Sequence, residues 1–182
     1  SLLSIRRTIP YFLYWQDRTA LSAARVASSP LLLIFFSPAA DQYLVPSFQK
    51  SLRHGKTYAT STDGEGFLQN LLAHCPDFDT AGKAITILGA GGSAKAIIER
   101  LLRANVKSIT VANRTLARAL ELKATFGPKI IPIEPQQLNL KMCDLLINTT
   151  SQGMTGQPPL EINLEDLPPN AIVADIVYVP LK

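Results

Sequence analysis

The feature that most constrains the fold is residues 84–106, where a strand pattern passes through glycines directly into a helix pattern. Residues 84–90 read AITILGA, an apolar run rich in β-branched residues. Residues 93–106 read SAKAIIERLLRANV and place apolar side chains on one helical face. This order predicts a buried strand, a tight turn and an amphipathic helix, which together begin a βαβ unit.

The same alternation continues to the end of the chain. A second helix is predicted at residues 115–127, capped by Thr115 and closed by Gly127. Further strands are predicted at residues 108–112, 129–133, 143–150 and 171–178. Near-continuous apolar strands that alternate with helices are typical of a parallel sheet covered on both faces. The predicted fold class is therefore α/β, with a doubly wound parallel sheet of the Rossmann type.

The first 80 residues follow a less regular pattern. Apolar runs at residues 10–15 and 30–36 fit buried strands or pieces of helix equally well. Residues 63–75 predict a helix with Asp63 as its N-terminal cap. The chain is therefore expected to divide near residue 80, into a lobe over residues 1–80 and an α/β domain over residues 81–182.

Composition limits the class of protein. With 47% hydrophobic and 18% charged residues, the chain can form a real core and is not disordered. The net charge of +4 does not predict nucleic-acid binding, since an anionic small ligand or scattered surface charge fits it equally well. The longest apolar run, residues 31–36, is shorter than the roughly 20 residues that span a bilayer. No membrane partner is expected.

Cysteine and arginine usage bears on the compartment. Cys75 and Cys143 are far apart and lack metal-ligand spacing, so a reducing, cytoplasmic location is expected, with no metal site. Residues 1–40 contain four arginines, several serines and a single acid, a composition faintly like that of a transit peptide. An ordinary N-terminal part of a domain is the favoured interpretation.

The glycine loop, residues 89–94, reads GAGGSA between the first strand and the first helix. Gly89 permits a tight turn, Gly91 lets a pyrophosphate approach the backbone, and Ala94 allows close packing of helix on strand. The helix N-terminus then offers free N–H groups to phosphates. The loop predicts dinucleotide binding; the alternative is a glycine-rich turn that holds no ligand.

The second strand ends on Asn113-Arg114-Thr115, where a dinucleotide's adenosine ribose is expected. A carboxylate at this point would accept from the ribose 2′-hydroxyl of NAD. Arg114 can instead pair with phosphate oxygens or stack on adenine, and Arg118 lies one helical turn further on. The predicted cofactor is NADP, and the alternative is two solvated surface charges.

Five segments read in order carry a family resemblance: STDGEGF, ILGAGGSAKAI, VANRTLARA, DLLINTTSQGM and ADIVYVPLK. Over residues 55–182 the chain resembles shikimate dehydrogenase. The resemblance implies an N-terminal substrate-binding lobe and an NADP-binding Rossmann domain. It also implies reduction of 3-dehydroshikimate to shikimate, a step of aromatic amino acid biosynthesis. The alternatives are a quinate or polyol dehydrogenase, and an NADP-binding paralogue without turnover.

The resemblance also implies roles for individual residues. Asp63 corresponds to the aspartate that binds a substrate hydroxyl and assists the catalytic lysine, and Tyr178 to a tyrosine that contacts substrate. Ile176 corresponds to the residue beside the nicotinamide. The implied cofactor-binding set is Gly89, Ala90, Gly91, Gly92, Ser93, Asn113, Arg114, Thr115, Arg118, Asn148, Thr149 and Ile176.

The sequence departs from the family pattern in the substrate lobe. No Ser-x-Ser carboxylate grip and no Val-Thr-x-Pro-x-Lys segment with its proton-transferring lysine is present, and no lysine precedes Lys50. Ser61 replaces the usual asparagine, and Lys182 precedes the family's closing glycine and glutamine-bearing helix. The expectation is an incomplete or divergent substrate lobe and impaired catalysis by this chain alone.

Overall fold

The computed structural model describes residues 32–35, 48–53, 56–61, 63–153 and 156–176, the first three ranges as backbone strands. The apolar run at residues 10–15 lies outside them. The elements, in chain order, are β1 (Leu32–Phe35), β2 (Phe48–Arg53), β3 (Lys56–Ser61), α1 (Asp63–His74), β4 (Ala84–Leu88), α2 (Gly92–Arg103), β5 (Ser108–Ala112), α3 (Leu116–Phe126), β6 (Ile130–Ile133), β7 (Leu145–Asn148) and β8 (Ile172–Asp175).

Six of these strands form one parallel sheet in the order β1-β8-β7-β4-β5-β6. From the central β4, the chain runs outward through β5 and β6 and then returns to the other side for β7 and β8. This reversal of strand order is the mark of a doubly wound sheet, so the predicted Rossmann-type fold class is confirmed. β2 and β3 pair separately as an antiparallel ribbon, from Phe48 opposite Ser61 to Arg53 opposite Lys56.

One face of the sheet is covered by all three α-helices. Inward side chains of the strands, such as Ile87 and Ile147, share a buried cluster with residues of α1, α2 and α3. The helices contribute Phe67, Leu68, Leu71, Ala94, Ile97, Ile98, Leu101, Ala119 and Leu122 to this cluster. Helix α1, predicted to belong to the lobe over residues 1–80, thus packs into the same core as α2; the division near residue 80 stays a prediction.

Within the described ranges, the chain that covers the opposite face of the sheet contains no α-helix. Leu146 and Val173 on this face pack with Leu140, Leu160 and Leu164, which lie in the connections flanking β7. Prolines at 158, 159, 168 and 169 explain the missing helix, because proline cannot donate the backbone hydrogen bond that a helix interior requires. Both faces are covered, as predicted, but one layer is irregular.

Gly64 marks a close contact between α1 and α2. A Cβ atom added at Gly64 would lie 2.2 Å from the carbonyl oxygen of Ala96 and 3.0 Å from Cβ of Arg100. A glycine inside a helix costs roughly 1 kcal/mol relative to alanine, so its presence requires a compensating reason. The reason here is backbone proximity: no side chain fits between the two helices.

The helix ends differ in two details from the predicted caps. Asp63 is the first residue of α1 and lies inside its first turn, so it does not occupy the predicted capping position before the helix. Its charge still favours the positive end of the helix dipole. Thr115 does occupy the capping position of α3, but its side chain makes no capping hydrogen bond. Gly127 closes α3 at a φ of +92°, as predicted.

The outer strand β6 contains a proline, Pro132, opposite Val111 of β5. The amide of Asn113 donates to the carbonyl of Ile133, and the amide of Ile109 donates to the carbonyl of Lys129. Since alternate residues of a strand point their backbone groups to opposite sides, Pro132 turns its backbone away from β5. A proline is tolerated there because none of the strands that the structure describes needs its missing N–H group.

Candidate dinucleotide-binding site

Three segments that contain predicted cofactor-binding residues converge where β4, β5 and β7 end. Leu88, the last residue of β4, lies opposite Ala112 of β5 and Asn148 of β7. The amide of Gly89 donates to the carbonyl of Ala112 at 2.9 Å, and the amide of Thr149 donates to the carbonyl of Leu88 at 2.9 Å. The segments 89–94, 113–118 and 148–150 therefore leave the sheet side by side, and we call them the switch-point site. Doubly wound sheets bind ligands at this position.

Gly89 makes the turn off β4 possible. Its φ of +99° lies in the region that side chains disfavour. A Cβ atom there would lie 2.8 Å from Oγ1 of Thr149 and 3.2 Å from Cγ2 of Thr150. Both the backbone conformation and the crowding against the 148–150 segment require glycine, as the sequence predicted.

Gly91 and Gly92, by contrast, face open space. A Cβ added at either residue would meet nothing within 4 Å. Gly91 occupies the capping position of α2 and provides no side-chain cap, and the first turn carries no acidic residue. The first N–H groups of an α-helix have no partner within the helix. The exposed backbone of Gly91, Gly92 and Ser93 therefore offers donors and a partial positive charge, with Ala90 buried beneath them.

Ala94 explains how α2 comes so close to the sheet. Its side chain is fully buried within the core cluster that contains Ile87 and Ile147. A methyl group is small enough to let the first turn of α2 lie against β4 and β7. The N-terminus of the helix is thereby held at the edge of the sheet, as the spacing of the glycine loop predicted.

The segment after β5 presents two arginines to solvent. The amide group of Asn113 donates through Nδ2 to the carbonyl of Thr115 at 2.8 Å, which fixes the turn into α3. Arg114 and Arg118 are both exposed, and neither makes a hydrogen bond through its side chain or an ion pair with any residue that the structure describes. The first turn of α3 contains no acid. These guanidinium groups are available to an anion.

Hydrogen bonds to buried groups fix the segment after β7. The Asn148 side chain is 3% exposed and donates through Nδ2 to Oδ1 of Asp175 at 3.1 Å. Its Oδ1 accepts from the amide of Thr150 at 3.0 Å and from Oγ1 of Thr150 at 2.8 Å. Oγ1 of Thr149 donates to the carbonyl of Leu88 at 2.7 Å. The predicted cofactor contact of the Asn148 side chain stays a prediction, since its amide group is engaged within the protein.

Two residues that the resemblance assigns to the site lie near its border. Ile176 follows β8, is half-buried, and donates its amide to the carbonyl of Asn148 at 3.2 Å. Asp63 is exposed and immediately precedes Gly64, which contacts α2 one turn after the glycine loop. Tyr178 lies outside the described residues.

An ion pair joins α1 to α2 beside Asp63. The guanidinium of Arg100 donates to the carboxylate of Glu65. This hydrogen bond lowers the pKa of Glu65 below its ordinary value, although partial burial opposes the shift. Both partners retain solvent exposure, so the pair orients the helices more than it stabilises them.

Sequence reasoning missed two residues at this site, Gly64 and Asp175. The signal for Gly64 was a glycine inside a predicted helix, which needs a packing reason. The signal for Asp175 was an acid inside the otherwise apolar segment AIVADIVY. A buried acid in a central strand requires a partner, and Asn148 supplies one.

Among the described residues, no group of three or more histidine, cysteine, aspartate and glutamate side chains is arranged to hold a metal ion. None of the helices in those ranges has the length and apolar character needed to cross a membrane.

The strand-order reversal, the glycine turn and the uncapped helix N-terminus define a Rossmann-type α/β domain with a candidate ligand site at its switch point. Residues 72–155 match the family model described as "Shikimate / quinate 5-dehydrogenase". The predicted resemblance to the shikimate dehydrogenase family is thus confirmed over the matched part of the chain.

Curated relatives support the same assignment. A shikimate dehydrogenase (NADP(+)) of Azorhizobium caulinodans is 43% identical over 133 residues, which cover 72% of this chain and 47% of the relative. One of Nitrobacter hamburgensis is 48% identical over 131 residues, covering 70% and 46%. The chain thus spans about half the length of the curated relatives it matches.

Solved structures show the same fold. Shikimate 5-dehydrogenase of Listeria monocytogenes, in complex with shikimate and NAD, has a TM-score of 0.60 at 27% identity, covering 80% of this chain and 54% of that one. The enzyme of Thermus thermophilus, in complex with NADP(H) and shikimate, has a TM-score of 0.56 at 30% identity, covering 82% and 54%.

Proposed function

We propose that this chain binds NADP at the switch-point site and serves in the reduction of 3-dehydroshikimate to shikimate. The observation that carries the proposal is the pair of exposed arginines after β5, Arg114 and Arg118, with no acid in the same turn. An acid there would repel a 2′-phosphate, whereas guanidinium groups bind phosphate oxygens through paired hydrogen bonds. Relatives named for NADP(+) support the choice of cofactor.

Each part of the site has a physical task in cofactor binding. The backbone of Gly91, Gly92 and Ser93 would donate to the pyrophosphate, helped by the dipole of α2. Arg114 and Arg118 would bind the 2′-phosphate, with Asn113 and Thr115 shaping the turn. Ile176 would provide an apolar surface for the nicotinamide, which supplies the hydride.

The substrate side of the proposal rests on Asp63 and Tyr178. Reduction of a ketone builds negative charge on its oxygen, so a proton donor must come within hydrogen-bond reach. A carboxylate such as that of Asp63 can bind a substrate hydroxyl and orient a donor, and the resemblance gives it that role. Residues 1–80 would form the substrate-binding lobe, but the family's Ser-x-Ser and lysine motifs are absent from them.

Quinate is the second candidate substrate, because the matching family model names both compounds. Quinate and shikimate are both small hydroxylated carboxylic acids, so the same cofactor half can serve either one. Oxidation of quinate faster than shikimate, at equal concentrations with NADP, would favour this alternative. Cofactor binding without oxidation of either compound would favour a non-catalytic paralogue.

The test of the proposal is a titration of the purified chain with NADP and with NAD. A charge-assisted hydrogen bond contributes about 1.5–3 kcal/mol, so Arg114→Ala is expected to weaken NADP binding by roughly 10- to 150-fold. NAD binding should hardly change, since NAD lacks the 2′-phosphate. Arg118→Ala is expected to act in the same direction.

Arg103→Ala is the matched control. Arg103 is an exposed arginine in the last turn of α2, paired with Glu99 and remote from the glycine loop. Its loss removes the same charge and should leave both affinities unchanged. Equal weakening of NADP and NAD by Arg114→Ala would remove the 2′-phosphate assignment, and failure of the parent chain to bind either cofactor would remove the proposed function.

A further inference from the structure

Asn148 and Asp175 form a buried polar pair at the carboxyl ends of β7 and β8. They lie opposite each other in the sheet and are 3% and 2% exposed. Buried charge and buried amide are costly unless they are paired, and apolar side chains of similar size often stabilise a core equally well. A polar pair at this place therefore calls for a role other than stability.

The hydrogen bond between the two side chains has a defined donor and a defined acceptor. A carboxylate only accepts hydrogen bonds, so Asp175 must receive the NH₂ group of Asn148. The amide cannot then rotate by half a turn, and its Oδ1 must point toward Thr150. That oxygen accepts both the backbone amide and the hydroxyl of Thr150. The Asp175 carboxyl oxygen at one end and the Thr150 N–H at the other therefore require the same orientation of the amide.

The hydrogen bonds of Asn148 also affect the segment that packs against the glycine turn. Oγ1 of Thr150 accepts from the amide of Gln152 at 3.2 Å, so the chain after β7 is fixed over residues 149–152. Thr149 in this segment donates to the carbonyl of Leu88 and lies against Gly89. The backbone carbonyl of Asn148 also receives the amide of Ile176. One buried pair thereby supports the wall of the glycine turn and the start of the segment after β8.

We propose that Asn148 and Asp175 are positioning residues: the carboxylate orients the amide, and the amide sets the 149–152 segment against the glycine loop in the geometry that NADP binding requires. This inference rests on the proposed function and adds to it a specific pair that does not itself need to contact the cofactor. It predicts that the orientation of the pair matters more than which strand carries the charge.

The experiment is an exchange of the two side chains, read out by titration with NADP. Asn148→Asp alone places two carboxylates together and removes the donor. We expect this variant to bind NADP about tenfold more weakly or worse, the factor that corresponds to the loss of one charge-assisted hydrogen bond. The double variant Asn148→Asp/Asp175→Asn restores the pair: the carboxylate now at position 148 accepts from Thr150 and from the amide at position 175. Its affinity is expected to return to within about threefold of the parent chain.

A control separates positioning from loss of stability. Leu101→Ala removes a fully buried side chain from the last turn of α2, in the core on the face of the sheet away from Asn148 and Asp175. It should lower the unfolding temperature and leave NADP affinity unchanged at temperatures where the chain is folded. If Asn148→Asp does not fold, Asp175→Ala takes its place as the single variant, because it removes the acceptor of the Asn148 NH₂ group, and the same weakening is expected.

Three results would overturn the inference. A folded single variant that binds NADP within twofold of the parent shows that the pair does not position the site, while the proposed function stands. A folded double variant as weak as the single variant shows that the side chains act individually. A parent chain that does not bind NADP removes the proposed function and this inference together.

Discussion

Replacement of Gly64 by alanine tests the contact that joins α1 to α2. The added Cβ would lie 2.2 Å from the carbonyl oxygen and 2.8 Å from the carbonyl carbon of Ala96. Both atoms belong to the backbone of α2, so no side chain can rotate away to make room. Ordinary contact needs about 3.5 Å, and the helices must therefore separate by about 1 Å.

The expected cost follows from two opposing terms. Overpacking of this kind costs about 1–3 kcal/mol, and the severe overlap places Gly64→Ala at the upper end. Alanine returns roughly 1 kcal/mol of helix propensity. The net loss of unfolding free energy is therefore about 2 kcal/mol, which for a chain of this size lowers the unfolding temperature by about 4–8 °C.

Gly66→Ala is the matched control in the same helix. A Cβ at Gly66 meets nothing within 4 Å and the residue is exposed, so only the gain in helix propensity remains. This variant should be more stable than the parent chain by about 0.5–1 kcal/mol. Thermal unfolding followed by far-UV circular dichroism, with all three proteins side by side, gives the order Gly66→Ala, parent, Gly64→Ala. A Gly64→Ala variant as stable as Gly66→Ala would refute the close contact between the helices.

Three further outcomes are expected. Gly91→Val should fold, because its side chain enters open space, yet bind neither NADP nor NAD, because that space is where the pyrophosphate would lie; normal binding in a titration would place the ligand elsewhere. Because Arg100 lowers the pKa of Glu65, the parent chain should have a higher unfolding free energy than Glu65→Gln above about pH 4.3, and the difference should decline as the pH falls. Denaturant titrations of both proteins at several pH values measure this difference. The parent chain should form NADPH from shikimate more than tenfold more slowly than a full-length relative assayed in parallel, since general acid–base help contributes about 10²- to 10⁴-fold; a rate within tenfold would reveal a proton donor in residues 1–80.

Local signals determine most of the fold and were read correctly from the sequence. The strand that ends at Leu88, the glycine turn and α2 follow one another without interruption, so residues close in sequence decide the structure. The sequence also predicts that the arginines after β5 lie beside the glycine loop, because neighbouring parallel strands end at the same edge of the sheet. These features depend on backbone conformation and apolar periodicity, which a sequence displays directly.

Contacts between distant segments were not predictable in the same way. The pairing of β1 with β8 joins residues such as Leu32 and Ile172, and nothing in the residues 30–36 specifies that partner. The Asn148–Asp175 hydrogen bond and the approach of Gly64 to Ala96 are of the same kind. Each of these contacts depends on where two segments meet in three dimensions. In the sequence, the only signal of such a contact is a polar or small residue at a position where another type is expected.

Pro132 bears on how this molecule behaves among its own copies. The open edge of β6 would otherwise offer a row of backbone donors and acceptors to another chain, and the surrounding residues, Ile130, Ile131 and Ile133, are the type that promotes aggregation. Because the proline directs its ring away from β5, the row lacks a donor at its centre. The β6 edge is thereby a poor template for intermolecular strand addition.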